Sequence, residues 1–457
     1  MRVNRAGLPV SRETGGVGTA HIITFGCQMN EADSEKMAGI LRSEGYALSG
    51  SPDMADVIVI NTCSIRAKAE QKVFSLAGRL KELKKKRPHL VMVMAGCMAQ
   101  RLGAGLLERH AGLDVVVGTG RMSRLPALLR TARERGDTAV DVEEGWAGEH
   151  PAEPVREGAF KAWINIMFGC DNYCAYCVVP FVRGRERSRH PDEIVAEAVS
   201  LGKKGYREIT LLGQNVNSYG TGLVPSSSFP QLLWILDGKS GIPRIRFTTS
   251  HPKDFSEELI DAVGSLASVC EAVHLPLQAG GDVVLRRMNR GYSLDEYRAI
   301  YGMIRDRIPE VAVTTDIIVG FPGETRREFE KTLGALRQLR FDGIFSFRFS
   351  PREGTAAWGM EDDVCESEKK VRLMEVQSLQ KEISVARNRE LLGREVEVLV
   401  EGPSRKDPRR LSGRTRDNRI VHFEGPGSLA GTFRRVRITE AGFVALGGEV
   451  VPENDHR

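Results

Sequence analysis

The run Phe168-Gly169-Cys170-Asp171-Asn172-Tyr173-Cys174-Ala175-Tyr176-Cys177 decides how the rest of the chain is read. It sets three cysteines at C-x3-C-x2-C spacing. Thiolates that close can each take one iron of a cubane cluster, and the next cysteine, Cys270, is far downstream. A four-iron cluster with three protein ligands keeps one iron open for a small molecule. Competing patterns fit less well. A zinc site brings four Cys or His ligands, with a second C-x2-C or H-x3-H pair that is absent here. A disulfide scaffold is at odds with 8 cysteines in 457 residues and with the lack of a secretory pattern. Cys270 and Cys365 fit no triad and are read as bystanders.

Upstream, residues 20–135 repeat one device. His21-Ile22-Ile23-Thr24-Phe25-Gly26-Cys27, Val57-Ile58-Val59-Ile60-Asn61-Thr62-Cys63 and Val91-Met92-Val93-Met94-Ala95-Gly96-Cys97 are apolar runs that end in cysteine. Their cysteines are 36 and 34 residues apart, about one βα unit each. A fourth run, Asp114-Val115-Val116-Val117-Gly118, extends the series. Continuous apolar runs between helical stretches (31–44, 66–86) predict a parallel sheet buried on both faces, a flavodoxin-like α/β domain. Parallel strands point the same way, so Cys27, Cys63 and Cys97 fall on one sheet edge, where open α/β sheets bind ligands. One cysteine at a strand end is usually a small buried hydrophobe. Three at equivalent positions make a second three-ligand iron site.

Downstream, 156–386 offers strands at 162–168, 208–213, 244–250, 272–278, 313–320 and 343–349. Helices at 191–204, 229–238, 254–268, 293–306 and 324–339 follow the first five. Six alternations predict a partial (β/α)6 barrel with its site at the strand carboxyl ends. Gln214, Asn215, Asn217, Ser250, His251 and Gln278 gather there. A helix over 365–390 leads to 389–452, an all-β segment with alternation in Val396–Val400 and strands at 419–423 and 435–438. The net charge is only +5, but residues 402–437 alone carry +7, including Arg405, Lys406, Arg414, Arg416 and Arg419. That density suits a polyphosphate partner. Arg183, Arg185, Arg187 and Arg189 alternate, and an extended strand would put them on one face to meet phosphate or a carboxylate. No apolar run reaches the ~20 residues that span a bilayer. Residues 1–19 read as a flexible tail, and a cytoplasmic location is expected.

The cysteine loop resembles the signature of radical S-adenosylmethionine (SAM) enzymes, in which the open iron chelates SAM. The whole plan, about residues 20–452, resembles the methylthiotransferases. These join an amino-terminal three-cysteine domain (here 20–135), a radical SAM barrel (156–386) and a small RNA-binding β-barrel called TRAM (389–452). Thr24-Phe25-Gly26-Cys27-Gln28-Met29-Asn30 with Asp33-Ser34-Glu35 is similar to the tRNA branch acting on isopentenyladenosine. So are Asn61-Thr62-Cys63-Ser64-Ile65-Arg66, Gly96-Cys97-Met98-Ala99-Gln100, Leu212-Gly213-Gln214-Asn215-Val216-Asn217 and Arg246-Phe247-Thr248-Thr249-Ser250-His251-Pro252. The alternatives are the branches acting on threonylcarbamoyladenosine or on a ribosomal protein side chain. One departure stands out: Leu-Pro-x-Gln-Ser-Gly-Ser of the family is here Leu275-Pro276-Leu277-Gln278-Ala279-Gly280-Gly281, two hydroxyls short.

The resemblance implies two 4Fe–4S clusters, one on Cys170, Cys174 and Cys177 and one on Cys27, Cys63 and Cys97. It also implies SAM held near Tyr176, Gln214, Asn215, Ser250 and Gln278, and tRNA held by Arg405, Lys406, Arg414, Arg416 and Arg419. Carbon 2 of adenine bears a C–H bond that no side-chain base can break, so the chemistry must come from a cofactor. The implied reaction adds a methylthio group to carbon 2 of N6-isopentenyladenosine at position 37, beside the anticodon. A flavodoxin or ferredoxin would supply electrons, and a monomer is expected.

Overall fold

The computed structural model describes residues 17–63, 67–110, 112–148 and 150–452. Most of the expected tail and Ser64–Arg66 of the second cysteine motif lie outside these. The chain divides into two compact units. One comprises the residues up to Ala159 with Met167–Asp171 and Val178–Arg187; the other is Phe160–Ile166, Asn172–Cys177 and Ser188 onward.

The first unit is built on a six-stranded parallel sheet. Its spatial order is Tyr46–Leu48, Gly18–Phe25, Val57–Thr62, Val91–Gly96, Val115–Val117, Ala139–Asp141. Val57–Thr62 and Val91–Gly96 are buried at every residue. Alternate side chains leave opposite faces of a strand. Val57, Val59, Val91 and Val93 therefore pack with Met37 and Leu41 on one side. Ile58, Ile60, Met92 and Met94 pack with Val73, Ala77 and Leu80 on the other. This is the doubly covered, flavodoxin-like layer the apolar runs predict.

The second unit holds six parallel strands in two sets of three. Lys161–Asn165, Glu208–Leu212 and Arg244–Phe247 form one; Ala272–His274, Ala312–Val319 and Gly343–Arg348 form the other. A single bridge joins them: Ile245 N donates to Ser268 O (2.7 Å) and Cys270 N to Ile245 O (2.9 Å). The result is the partial (β/α)6 barrel. Its helices start where side chains can cap them, at Ser228, Ser256, Ser293 and Thr325. The first strand is shorter than its apolar run, because Met167–Phe168 leaves the sheet to pair with Arg187–Ser188, and the chain then turns at Gly169 (φ 72°). A Cβ at that position would lie 2.1 Å from Arg185 O, so only glycine fits.

Helix Glu366–Arg389 leads into a closed five-stranded barrel, Glu395–Pro403, Arg410–Thr415, Ile420–Glu424, Ala445–Val450 and Phe433–Ala441 in spatial order. Val398, Val400, Leu411, Phe423, Val436 and Leu446 fill it. It docks on the amino-terminal ends of the large-barrel strands. Arg244, fully buried, donates to Arg414 O (2.8 Å), Glu397 O (3.0 Å) and Glu397 Oε1 (2.8 Å) and lies over the Phe433 ring. Arg246 donates to Arg416 O (2.6 Å), Thr415 O (2.7 Å) and Glu208 Oε2 (2.8 Å). Lys161 pairs with both Glu401 (2.6 Å) and Glu208 (2.9 Å). Burial alone would raise the Glu208 pKa; Arg246 and Lys161 outweigh it and hold the carboxyl at about 2.

Replacing Arg244 by Met should strand two backbone carbonyls at a buried joint, a loss of about 2–4 kcal/mol. Calorimetry should then show the small barrel melting in a separate, earlier transition; a single unshifted transition would contradict the arrangement.

Candidate functional site

The amino-terminal site follows from strand register. Phe25 lies opposite Thr62, and Thr62 opposite Gly96, so three neighbouring strands end level. Cys27, Cys63 and Cys97 come one or two residues later. Cys27 caps helix Gln28–Ser43 and Cys97 opens helix Cys97–Leu102. Buried amides brace the edge. Asn30 Nδ2 donates to Asn61 Oδ1 and Thr62 O (3.3 Å each), and Asn61 Nδ2 to Asn30 O (2.8 Å) and Ser34 Oγ (2.9 Å). Gly96 (φ 89°) has no room for a side chain: a Cβ would sit 2.4 Å from Asn61 Oδ1.

The thiols sense one another. A hydrogen bond with Cys63, then the charge of Arg183, outweigh burial and bring the Cys27 thiol down to about 6. Burial pushes the Cys97 thiol up. Among the described residues, no three Cys, His, Asp or Glu side chains are close enough to hold one metal ion. A cubane asks something different, since its irons take thiolates at separate corners. Three cysteines on one level edge, with a thiolate already favoured, fit that demand.

The second site lies at the carboxyl end of the large barrel. The segment Asn172–Cys177 is held by Ala175 N donating to Met288 O (2.9 Å), Ala357 N to Ala175 O (2.7 Å) and Asn289 Nδ2 to Tyr173 O (3.0 Å). Arg290, 4% exposed, donates to Cys174 Sγ (3.3 Å), Tyr176 Oη (3.4 Å), Tyr292 Oη (3.0 Å) and Pro276 O (3.0 Å). His251 is buried beside Arg290 and Lys253; desolvation and these cations push its pKa down to about 2, so the ring is neutral. Asn217 clasps the His251 backbone from both sides (2.8 and 2.9 Å).

The sharpest signal is what lacks a partner. Gln214 Oε1, Asn215 Oδ1, Ser250 Oγ and Gln278 Oε1 are buried oxygens with no protein hydrogen bond. Buried polar atoms are almost always satisfied, so four at one barrel end call for a ligand. All four accept hydrogen bonds, which suits a ligand rich in N–H and O–H groups. Their backbones are aligned for it: Val216 N donates to Thr249 O (3.0 Å), Ile318 N to Gln278 O (2.9 Å), and Thr249 and Gln278 both hold φ near 70°. Non-glycine residues there store strain, a mark of functional sites. The hydroxyl-poor segment is also explained in part. A Cβ on Gly281 would lie 2.1 Å from Glu328 Oε2, another buried oxygen without a protein partner.

Two sequence expectations meet a different geometry. The four alternating arginines share no face, because they are not on one strand. Arg183 ends helix Val179–Arg183 and pairs with Asp33 (2.7 Å), and Arg185 pairs with Asp171 (2.7 Å). Arg187 lies 4.3 Å over the Trp146 ring, and Arg189 pairs with Glu197 (2.8 Å). In the small barrel, Arg416 chelates Glu271 (2.8 Å to each oxygen), Arg419 pairs with Asp342 and Asp417, and Arg414 pairs with Glu401 (3.4 Å). Arg416 and Arg419 serve the joint with the large barrel, and Arg414 pairs inside the small barrel with Glu401, which Lys161 also holds; Arg405 and Lys406 are exposed. Arg290 and Glu328 were not singled out from sequence, since neither belongs to a cysteine or strand-end pattern.

Three family models match this chain. Residues 19–118 match uncharacterized protein family UPF0004, 164–336 the radical SAM superfamily, and 389–451 the TRAM domain. Among solved structures, TsrM, a radical S-adenosylmethionine methyltransferase from Kitasatospora setae, aligns with TM-score 0.52 at 15% identity over 72% of each chain. The cobalamin-dependent radical enzyme OxsB aligns with TM-score 0.52 at 12% identity over 80% of this chain and 56% of that one. At those identities the likeness shows the fold alone. Fold and family models together define a radical SAM enzyme, a class that carries a 4Fe–4S cluster and uses SAM.

A relative from Thermoanaerobacter pseudethanolicus, a tRNA-2-methylthio-N(6)-dimethylallyladenosine synthase, is 46% identical over 94% of this chain and 92% of its own. One of the same name from Halalkalibacterium halodurans is 44% identical over 97% of this chain and 83% of its own. The chain belongs to the tRNA-2-methylthio-N(6)-dimethylallyladenosine synthase family of radical SAM methylthiotransferases. No helix among the described residues is long and apolar enough to cross a membrane.

In reduced, metal-free protein, iodoacetamide should label Cys27 with a half-maximal rate near pH 6 while Cys97 stays unmodified. Equal labelling of the two, rising only near pH 9, would contradict the site's electrostatics.

Proposed function

We propose that this chain converts N6-dimethylallyladenosine at position 37 of tRNA, beside the anticodon, to its 2-methylthio derivative. The observation that carries the reading is the pair of three-cysteine sites, one at three level strand ends and one on a single loop, each one ligand short of a closed cluster. The relatives' shared name supports the substrate.

In this reading Cys170, Cys174 and Cys177 hold the radical SAM cluster, and Cys27, Cys63 and Cys97 hold a second. When bound, the two clusters and SAM supply the hydrogen-abstracting radical, the sulfur and the methyl group. The protein's own part is binding and exclusion. Gln214, Asn215, Ser250 and Gln278 offer acceptors to the amino and hydroxyl groups of SAM. Tyr176 packs edge-on against Phe321 (6.5 Å) and closes the floor beside Cys177. Neutral His251, fixed by Asn217, keeps a second positive charge away from Arg290. Arg405 and Lys406 meet tRNA phosphates. Residues 20–135, 156–386 and 389–452 divide these duties as sulfur, SAM and RNA segments. A flavodoxin- or ferredoxin-type donor in a reducing cytoplasm suits both clusters.

Wild type should carry about eight irons, falling to about four in Cys170→Ala and in Cys63→Ala; iron and sulfide analysis of anaerobic material decides this, and no change in Cys63→Ala refutes the second site. Asn215→Ala and Gln278→Ala should each weaken SAM binding about tenfold, ~1.4 kcal/mol, at unchanged iron content; calorimetric titration would expose an error by showing equal affinity. Converting both Arg405 and Lys406 to Ala should lower the salt-dependence slope of tRNA binding by about 1–2. Mass spectrometry of tRNA and of ribosomal protein from cells expressing the enzyme tests the substrate itself: methylthio mass on a protein side chain overturns the reading.

A further inference from the structure

The segment Val178–Arg187 packs in the same unit as the amino-terminal sheet. Its helix, Val179–Arg183, begins two residues after Cys177 in the chain. Val178 and Val182 form a small apolar cluster with Cys97. Thr119 Oγ1 donates to Val182 O. The helix ends in Arg183, whose side chain is 6% exposed and pairs with Asp33 (2.7 Å). Asp33 lies on the helix that Cys27 caps, and its Oδ1 has no protein hydrogen bond. The charge of the guanidinium also acts on the Cys97 thiol, against the effect of burial. Arg183 thus ties together the helix beginning at Cys97, the helix beginning after Cys27 and the chain leaving Cys177.

A buried ion pair is a poor device for stability alone, since apolar residues of the same size often serve as well. Its place beside the cysteines is therefore the fact to explain. Thiolate-ligated clusters become more anionic with each electron gained, and net charge near a cluster sets its potential. A fixed cation in a poorly screened interior favours the reduced form. Arginine suits this because it cannot shed its proton, and its planar fork can hold Asp33 while facing a sulfur.

We propose that Arg183 is a positioning residue for the amino-terminal cluster: it fastens the segment after Cys177 over Cys97, and its charge raises that cluster's reduction potential. The proposal rests on Cys27, Cys63 and Cys97 being ligands. The test uses full-length protein in which Cys170, Cys174 and Cys177 are all alanine, so that one cluster remains for a redox titration followed by electron paramagnetic resonance. Against this parent stand R183K and the double variant D33N/R183M, which removes the pair without leaving a lone buried charge. The expected results are a midpoint shifted to more negative potential in D33N/R183M and a midpoint matching the parent in R183K. An unchanged midpoint in D33N/R183M overturns the proposal and leaves Arg183 a purely structural part. If D33N/R183M holds no cluster, R183Q decides against R183K: a midpoint more negative in R183Q than in R183K supports the charge, and equal midpoints overturn it. A parent without iron overturns the assignment of the three cysteines, and the proposal with it; iron analysis reveals that before any titration.

Discussion

Level strand ends are the constraint from which the rest of this structure follows. Parallel strands in register deliver the residues after them to one line. Phe25, Thr62 and Gly96 end together, so the cysteines that follow need no further device to converge. The register in turn rests on burial: Val57–Thr62 and Val91–Gly96 have apolar contacts on both faces, and a slip of one residue would exchange the two packed layers. The Asn30–Asn61 clasp and the cramped Gly96 then fix the last residues of the edge.

The large barrel separates holding from reacting along the strand axis. At the amino ends, polar groups are paired with care: Arg244, Arg246, Lys161 and Glu208 are joined to the small barrel or to each other. At the carboxyl ends, Gln214, Asn215, Ser250 and Gln278 keep oxygens that no protein group satisfies. Four unpartnered oxygens on neighbouring strand ends are a local breach of the rule of buried polar satisfaction. The joint also sets the small barrel a strand's length, roughly 15–20 Å, from the carboxyl ends of the large-barrel strands.

Much of this was legible in the chain. Continuous apolar runs gave the parallel sheet, because strands buried on both faces cannot alternate with polar residues. The helices of the large barrel followed from the regular alternation of apolar runs with helical stretches. The strand-end residues Gln214, Asn215, Ser250 and Gln278 could be named because a barrel's chemistry sits at that end. What escaped was what depends on tertiary partners. The edge strands Tyr46–Leu48 and Ala139–Asp141, three residues each, are too short to show a period. The +7 stretch gave no hint that Arg416 and Arg419 would be consumed by Glu271 and Asp342, acids far away in sequence. Alternating arginines suggested a strand where Gly184 and a short helix intervene. Arg290 stands in a loop whose residues carry no pattern of their own.

The central claim is that two incomplete cysteine cages divide one reaction between them. The most direct measurement is product analysis with dimethylallyladenosine-containing tRNA, SAM and dithionite under strict anaerobiosis, comparing Cys63→Ala with Cys170→Ala. The account predicts that Cys63→Ala still releases 5′-deoxyadenosine but forms no methylthioadenosine, and that Cys170→Ala forms neither. Methylthioadenosine appearing with Cys63→Ala would contradict it.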